Sequence, residues 1–247
     1  MASATLAGPP GDCCTQTVQH VGEPRGAIEK IAGVNTYITG PRQGDKIILF
    51  FADIFGPLYV NAQLVMDYWA DNGWLVLGLD YFDGDSYAYH IDKEGFDVRA
   101  WVAPKRVRAA ELLPPWIEAV RAQYGSDKKY VCVGYCFGAP YVMDHIKTDW
   151  IKAGAFAHPA FLNEDDFRGV KQPLLLSCAE VDHTFPLEAR RRAEDILVEQ
   201  KASYYIQVFS SVKHGFATRC DPSVSAQKWA REESARGILN WFNHWCL

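Results

Sequence analysis

The stretch YVCVGYCFG, residues 130–138, carries most of the information about how this chain folds. Its first four residues form an apolar run of strand length, and the residues after it have the pattern of a helix. At this junction Gly134 and Gly138 flank Cys136, which is typical of a nucleophile elbow with cysteine in place of the usual serine. In so tight a turn a Cβ at either glycine would collide with neighbouring backbone, and the nucleophile is held in a strained conformation. The pentapeptide alone is weak support for catalysis, because a buried cysteine in a turn is by default a small apolar residue.

Apolar runs of strand length alternate with helix-period segments along the rest of the chain. The strand candidates are Ala27–Ile31, Val34–Thr39, Lys46–Ala52, Trp74–Asp80, Tyr130–Gly134, Gly154–Ala157, Leu174–Ala179 and Tyr204–Phe209. The helix candidates are Asn61–Asn72, Ala103–Tyr124, Ala139–Ile146, Leu187–Gln200 and Ser223–Trp245. Runs such as 47–51 are continuously apolar, which is typical of strands buried on both faces of a parallel sheet. The pattern predicts an α/β fold, a doubly wound and mostly parallel sheet flanked by helices.

Three segments interrupt this regular pattern. Residues 1–25 are rich in Gly, Pro, Ser and Thr and are predicted to form an irregular N-terminal arm. Pro114-Pro115 should break or kink the second helix. The loop Ser86–Trp101 has few structural signals and is a candidate lid. Without an internal repeat or a long linker, residues 26–247 are predicted to form a single domain.

Composition and charge exclude several classes of protein. Of the 247 residues, 49% are hydrophobic and 13% aromatic, which is enough for a core and excludes disorder over most of the length. The net charge of −5 gives no electrostatic reason to expect nucleic acid or an anionic membrane surface as a partner. No apolar run approaches the roughly 20 residues that span a bilayer. The start of the chain lacks the positive charge of a secretory signal.

The seven cysteines favour reduced thiols over disulfides or a metal site. Cys132 and Cys178 lie in strand-like runs, as thiols do in a reducing compartment, so a cytoplasmic location is predicted. Cys13 and Cys14 are adjacent in the arm and form no C-x-x-C pair. Because no Cys or His pairs have the spacing of metal ligands, no metal and no cofactor are expected.

Three loops that follow strands carry residues of catalytic type. Cys136 follows the strand 130–134, Asp182 the strand 174–179, and His214 the strand 204–209. Function in such sheets lies at the carboxyl ends of the strands, where distant loops converge. Cysteine, then aspartate, then histidine is the order of nucleophile, acid and base in hydrolases with this elbow. A histidine can remove the thiol proton, and an aspartate fixes the imidazole tautomer and stabilises the imidazolium.

Each of these residues also has a structural interpretation. Asp182 by itself could cap a turn, and His214 beside a glycine could be a hydrogen-bonded surface histidine. His183 is a rival base, but it directly follows the candidate acid in the same loop, which leaves His214 better placed as an independent partner. The conjunction of all three types, in this order and each after a strand, favours catalysis.

At these residues the sequence resembles the dienelactone hydrolase family of the α/β-hydrolase superfamily, and looks most like its fungal members. The resemblance runs from about Ala27 to the end of the chain and rests on the segments 52–56, 134–138, 182–186 and 214–216. It implies an α/β-hydrolase fold, with Cys136 as nucleophile, Asp182 as acid and His214 as base. It also places the oxyanion hole at the backbone N–H groups of Ile54 and Phe137, whose side chains are then packing residues.

The resemblance implies further contacts to substrate, with departures. Dienelactone-cleaving members have a glutamate where this chain has Asp53, and that glutamate holds the resting thiol. The alternative for Asp53 is that it caps a turn. Those members grip a substrate carboxylate with arginines. In this chain the loop 81–85 offers acids and aromatics instead of an arginine. Arg219 lies one position later than the family's second arginine. It either takes the place of that arginine or is a solvated surface residue. An acidic, aromatic rim favours a neutral or aromatic ester.

Four other residues are weaker candidates for the substrate pocket. Tyr81 and Phe82 form either a substrate wall or part of the core, and Phe216 belongs to the motif of the proposed base. His158 follows a strand at the same sheet edge, but a structural histidine in a proline turn is the alternative.

The expected function is that of a cysteine-dependent carboxylic ester hydrolase that cleaves an ester or lactone through a thioester acyl-enzyme. One alternative is a hydrolase or thioesterase that acts on a polyketide-like secondary metabolite. An alternative of another class is a non-catalytic ligand-binding protein on the same fold. The expected partner is a small-molecule ester or lactone, with no nucleic acid or membrane, and the protein is expected to be a monomer or homodimer.

Overall fold

The centre of the fold is an eight-stranded sheet in a computed structural model that describes residues 3–247, apart from the side chains at positions 12 and 13. The strands of this part of the chain are β1 (Thr5–Ala7), β2 (Ala27–Ile31), β3 (Val34–Thr39), β4 (Lys46–Phe51), β5 (Leu75–Leu79), β6 (Lys129–Tyr135), β7 (Ile151–Ala157), β8 (Leu162–Asn163), β9 (Leu174–Val181) and β10 (Tyr204–Lys213). The sheet has the order β10-β9-β7-β6-β4-β5-β3-β2. Its first six strands are mutually parallel, whereas β3 runs antiparallel to both β5 and β2. The predicted doubly wound, mostly parallel sheet is confirmed.

Helices cover both faces of this sheet. They are α1 (Val60–Asp71), α2 (Val98–Tyr124), α3 (Ala139–His145), α4 (Glu164–Arg168), α5 (Leu187–Glu199), α6 (Phe216–Arg219) and α7 (Ser225–Trp245). Side chains of a strand alternate between faces, so Ile47, Leu49 and Phe51 of β4 pack with α2, α3 and α5. Ile48 and Phe50 point the other way, into a second core with α1 and α7. The continuous apolar runs of the sequence are therefore strands buried on both sides.

The second helix differs from its prediction. α2 is one continuous helix through Pro114-Pro115, so the predicted break is wrong. A proline inside a helix costs about 3 kcal/mol, because it removes a hydrogen bond and crowds the preceding turn. Trp116 is fully buried and its indole N–H donates to the hydroxyl of Thr36 at 2.8 Å. The burial of this tryptophan and of its neighbour Leu113 in the core offsets that cost.

The N-terminal arm has more structure than the sequence indicates. Its strand β1 pairs antiparallel with β8, and a 3₁₀ turn covers Asp12–Thr15. The Gly8 N–H donates to the Thr184 carbonyl at 2.7 Å, and the Lys213 ammonium donates to the Gln16 side chain at 2.6 Å. The arm therefore lies across the carboxyl ends of β9 and β10, where the sequence places catalytic loops.

The remaining differences concern short elements and boundaries. The strands β1 and β8 and the helices α4 and α6 were not predicted, because two to five residues carry too little periodicity to be recognised. The candidate lid, Ser86–Trp101, contains a 3₁₀ turn at Tyr87–Tyr89 and the first turn of α2. No helix of the described residues is both long enough and apolar enough to cross a membrane.

Candidate active site

The elbow after β6 has the geometry that its glycines require. Cys136 adopts a left-handed backbone conformation with φ of 48°, which is uncommon for a residue with a side chain. A Cβ on Gly134 would lie 2.5 Å from the carbonyl oxygen of Gly138. A Cβ on Gly138 would overlap the carbonyl group of Phe51 on the neighbouring strand. Both positions therefore admit only glycine, and together they fix the direction of the Cys136 side chain.

The register of β6 and β7 brings a histidine beside this cysteine. Tyr135 pairs with Ala157, so Cys136 and His158 are each the next residue after a paired position. His158 is fully buried, and its ring centre lies 4.9 Å from that of His214. Neither ring nitrogen of His158 has a hydrogen-bond partner, and burial holds its pKa well below its usual value. A neutral His158 therefore packs directly against the candidate base.

The register of β9 and β10 brings acid and base together in the same way. Val181 pairs with Lys213, so Asp182 and His214 follow a paired position side by side. Nδ1 of His214 lies 2.9 and 3.0 Å from the two carboxylate oxygens of Asp182. The hydroxyl of Thr184 donates to the same carboxylate at 2.7 Å. Since Nδ1 faces Asp182, the other nitrogen, Nε2, is left to face the reacting groups.

The charges in this pair favour the ion pair in the resting protein. Burial by itself lowers the pKa of His214, but the Asp182 charge and the Cys14 thiol outweigh burial and raise it to about 9. Burial would raise the pKa of Asp182, but His214 and the hydrogen bonds from Thr184 and the Phe185 N–H lower it below its usual value. With Cys14 in place, His214 is thus held as an imidazolium near neutral pH.

A second thiol lies in the site. The sulfurs of Cys14 and Cys136 and a ring nitrogen of His214 all lie within 4.8 Å of one another, and all three residues are buried. The Cys14 thiol interacts with both of the other two groups. Burial and Cys14 raise the pKa of Cys136 well above its usual value, against the opposing charge of Arg219. In this closed arrangement the candidate nucleophile is therefore a neutral thiol.

Asp53 and Arg219 form a buried ion pair next to this cluster. The guanidinium of Arg219 binds the Asp53 carboxylate directly, and the Thr218 hydroxyl donates to the same oxygen at 2.9 Å. Arg219 is 5% exposed, so its interpretation as a solvated surface arginine is wrong. One of its terminal nitrogens, Nη2, is buried without a partner. Asp53 also caps the turn after β4, accepting from the Phe55 N–H at 2.9 Å, which fits its interpretation as a turn cap. Its hold on the resting thiol stays a prediction.

The two residues named for the oxyanion hole follow neighbouring strands. Phe51 of β4 pairs with Gly134 of β6, and Ile54 and Phe137 each lie three residues beyond that pair. Their side chains are 0% and 1% exposed and belong to the core, so their interpretation as packing residues fits. The backbone at both positions lies at the sheet edge where Cys136 emerges.

The aromatic candidates Tyr81, Phe82 and Phe216 pack around the site through ring contacts. Tyr81 is fully buried, donates its hydroxyl to the Ala52 carbonyl, and lies 5.2 Å from the Phe137 ring. Phe82 stacks on Trp101 at 5.6 Å between ring centres. Phe216 contacts the His158 ring at 5.9 Å. These contacts make all three part of the packing that supports the site.

The acids expected at a rim after β5 are engaged by partners within the protein. Asp80 is buried and accepts from the Gly84 N–H at 2.8 Å. Asp83 forms an ion pair with Arg108. Asp85 pairs with both Lys105 and His90. Cations pair with Asp83 and Asp85, and backbone N–H groups cap Asp80, so the loop presents no unpaired acid as a reason to prefer a neutral substrate.

A cavity of about 320 Å³ reaches the candidate base from the side of the arm. Its walls include His214, Arg219 and Phe216, together with Gln16 and Thr17 of the arm. Cys136 is fully buried and does not line it. The candidate nucleophile therefore lies outside the walls of this cavity.

Two groups of side chains in the described residues have atoms close enough to hold a metal ion. The first is Cys14, Cys136 and His214, and the second is Asp182, His183 and His214. Spacing in the sequence missed both groups because their members come from distant segments. His214 is common to the two groups and is the candidate base, so an ion at either one would compete with its role in hydrolysis.

Comparisons with known proteins show which proteins the chain is similar to. The model of the Dienelactone hydrolase family matches residues 34–246. Dienlactone hydrolase 1 of Gibberella moniliformis is 38% identical, with 97% of this chain and 95% of that protein aligned. Hydrolase pyvD of Aspergillus violaceofuscus is 32% identical, with 96% and 97% covered. The dienelactone hydrolase structure from Anabaena variabilis shares the fold, with a TM-score of 0.59, 15% identity, and 91% of this chain and 99% of that one covered.

Proposed function

The chain belongs to the dienelactone hydrolase family, and from that premise we propose that it is a cysteine-dependent hydrolase of esters or lactones. Cys136 is the nucleophile, His214 the base and Asp182 the acid that orients it. The observation that carries this proposal is the meeting of the Cys136 sulfur and a His214 ring nitrogen within 4.8 Å, with Asp182 bonded to that ring. Such a cluster, assembled from three loops, has the parts that acyl transfer needs.

The first step is the opening of the site. The Cys14 sulfur lies against both His214 and Cys136, so an ester carbonyl reaches Cys136 only after the Cys14 side chain has moved. Because Cys14, after Asp182, helps to raise the pKa of His214, its departure lowers that pKa and shifts the ring toward the neutral form. Entry of the substrate and activation of the base are thus coupled through one thiol.

Chemistry then follows in two half-reactions. Nε2 of His214 takes the thiol proton, the Cys136 thiolate attacks the carbonyl carbon, and a C–S bond forms. The backbone N–H groups of Ile54 and Phe137 hold the oxyanion, each contributing about 3 kcal/mol to the transition state. The C–O bond breaks and the leaving alkoxide receives the proton from His214. Water, deprotonated by His214, attacks the thioester, and the C–S bond breaks to release the acid and the thiol.

The buried arginine favours a substrate with a carboxylate near the scissile bond. Arg219 keeps one terminal nitrogen without a partner while Asp53 holds the other end of the guanidinium. A buried donor without a partner is costly, and an incoming carboxylate would remove that cost. This replaces the expectation of a neutral ester, whose basis was an acidic rim that the ion pairs of Asp83 and Asp85 remove.

The nucleophile is tested by intact-mass analysis after mixing the protein with p-nitrophenyl acetate. We expect an acetyl adduct that peptide mapping places on Cys136, and hydrolysis that Cys136→Ala abolishes. Cys132→Ala is the matched control, because Cys132 is a buried thiol on the strand that leads to Cys136 and lies outside the cluster. An adduct on Cys14, or turnover that survives in Cys136→Ala, would remove Cys136 from the mechanism.

Substrate class is tested with one panel on the wild type and Arg219→Met. Lactones and aryl esters are compared with and without a carboxylate, and a simple acyl thioester is included for the thioesterase alternative. A preference for carboxylate-bearing substrates that disappears in Arg219→Met supports the proposed contact. Equal rates for both kinds of ester would contradict it. Saturable ligand binding without an adduct or turnover would favour the receptor alternative.

A further inference from the structure

We propose that Cys14 and Cys136 form a reversible disulfide, which makes this pair of thiols an oxidative modification site at the centre of the hydrolase. The bond itself depends only on the two sulfurs, whereas its effect on turnover rests on the proposed function. This bond would block the Cys136 sulfur and link the N-terminal arm covalently to the active site.

The distance between the sulfurs permits the bond. The two sulfurs lie within 4.8 Å of each other, and the thiol of Cys14 interacts with that of Cys136. A disulfide has a bond length of about 2.05 Å, so the sulfurs need to approach by less than about 3 Å. Rotation of the side chains with a small shift of the arm covers such a distance.

The arm holds Cys14 at this place from both sides. Before Cys14, the Gly8 N–H donates to the Thr184 carbonyl at 2.7 Å, and the Gly8 carbonyl accepts from Phe161 at 3.0 Å. After it, the Gln16 side chain accepts from Lys213 at 2.6 Å. An anchored thiol is present at a high effective concentration, so it captures an oxidised Cys136 faster than a thiol in solution would.

The neighbouring charges favour reaction at this pair. The base His214 lies within 4.8 Å of both sulfurs, and the Arg219 charge opposes the rise in the pKa of Cys136. Cys132 and Cys178 are also buried, but no group of a second thiol and an imidazole within 4.8 Å includes either of them among the described residues. The thiolate is the form that reacts with oxidants, and a neutral His214 can take the proton of either thiol. The position of the pair beside this base, and not a lowered pKa, therefore favours its oxidation.

The step balances with hydrogen peroxide as oxidant. The Cys136 thiolate attacks one peroxide oxygen, an S–O bond forms, the O–O bond breaks, and the released hydroxide takes a proton to become water. The sulfenic acid on Cys136 is then attacked by the Cys14 thiolate, which forms the S–S bond and expels the second oxygen as water. Two thiol hydrogens and two electrons leave the protein, and the peroxide is reduced to two waters. A dithiol reductant reverses the bond by exchange.

The test is peptide mapping of the full chain after hydrogen peroxide, with free thiols blocked and no reductant. Trypsin releases residues 1–25 and residues 130–147, and the bridge joins these two peptides with the loss of two hydrogens. Fragmentation assigns the bond, because each peptide contains a second cysteine, Cys13 and Cys132. We expect the bridge in the wild type and in Cys13→Ser, and its absence in Cys14→Ser.

Turnover of p-nitrophenyl acetate gives the second readout. In the wild type and Cys13→Ser, peroxide should remove most of the activity and dithiothreitol should restore it. In Cys14→Ser the sulfenic acid on Cys136 has no resolving thiol, so further oxidation should make most of the loss permanent. Cys14→Ala and the thermal unfolding of each variant separate this effect from misfolding.

The outcomes distinguish the two proposals. A bridge between Cys14 and Cys136 in a protein without hydrolysis would uphold the modification site and reject the proposed function. Hydrolysis through Cys136 with only sulfinic acid on that residue, or reactivation of Cys14→Ser as complete as that of the wild type, would overturn the modification site alone.

Discussion

At the scale of single residues, His183 and His214 are close together and differ in what a base needs. Their ring centres lie 5.2 Å apart. His214 is buried, with Nδ1 bonded to Asp182 and a ring nitrogen within 4.8 Å of the Cys14 and Cys136 sulfurs. His183 is exposed and lies at the outer side of the same loop, near Gly11 of the arm. The carboxylate of Asp182 orients the His214 ring, which favours His214 as the base. The sequence alone does not show which ring this carboxylate contacts.

Replacement of the two histidines should therefore have unequal effects. His214→Asn should lower kcat by several orders of magnitude, because loss of a base that activates the nucleophile leaves only binding and the oxyanion hole. His183→Asn, the matched control, should stay within a few-fold of the wild type. Steady-state kinetics with p-nitrophenyl acetate measure both. Retained activity in His214→Asn with loss in His183→Asn would move the base to His183.

Arg219 shows what a single position in the sequence does not reveal. From the sequence, an arginine one position away from the family's pattern is equally consistent with a replacement for the family's arginine and with a surface residue. Its burial follows from contacts with Asp53 and with the carbonyl of Gln16 at 3.2 Å, both far away in the sequence. The cost of burying the Arg219 charge is tolerated because the Asp53 carboxylate pairs with it.

At the scale of elements, the strand-to-helix turn after β6 depends on the absence of side chains at two positions. Gly134→Ala should destabilise the fold by a few kcal/mol, because its Cβ meets the Gly138 backbone at 2.5 Å and backbone cannot move as a side chain does. Gly73→Ala is the control: nothing lies within 4 Å of its added Cβ, although its φ of 85° still costs about 1 kcal/mol. Urea unfolding measures both.

An equal loss of stability in the two glycine variants would contradict this account of the turn. The loss would then come from the backbone conformation alone. In Gly134→Ala, activity should fall with stability, because relief of the overlap shifts the segment that holds Cys136. Gly73 follows α1 at the other end of the strand layer, so its variant should keep the kinetic constants of the wild type.

The second helix shows where local propensity fails. Three prolines, Pro104, Pro114 and Pro115, lie inside α2, and the sequence argued for a break at the last two. The burial of Leu112, Leu113 and other neighbours decided otherwise, since packing against the sheet outweighs the local cost. The strands of the eight-stranded sheet, by contrast, were predicted close to their observed positions, because their apolar runs form the core.

At the scale of the whole molecule, the buried ion pair makes stability depend on pH. The pKa of His214 rises from 6.5 to about 9 on folding, so its contribution is complete below pH 6.5 and is lost as the pH rises through 9. The pKa of Asp182 falls below its ordinary 3.8, so its contribution is present above that pH and is lost on further acidification. Both effects make the stabilisation from this pair greatest in mildly acidic solution. The lowered pKa values of His20, His145 and His158 act in the opposite direction, because the unfolded chain binds those protons more readily.

Unfolding by urea at about pH 6.5 and about pH 8.5 tests this dependence. The wild type should lose on the order of 2–3 kcal/mol between the two, because the unfolded chain releases the His214 proton while the folded chain keeps it. His214→Gln should lose much less over the same interval. An equal decline in both proteins would assign the pH dependence to other groups. Cys14→Ser should show a smaller decline than the wild type, since Cys14 helps to raise this pKa.

The sequence by itself determined the order of strands and helices and the identity of the three loops that carry Cys136, Asp182 and His214. Those features are local: apolar runs, glycines at a turn, and residue types directly after strands. The position of Cys14 against the nucleophile, the burial of Arg219 and the closure of the arm were decided by tertiary structure alone. The arm has no hydrophobic periodicity from which its structure could be predicted. Individual hydrogen bonds to segments far along the chain determine its position. Such contacts exist only once the sheet has formed and brought its loops to one edge.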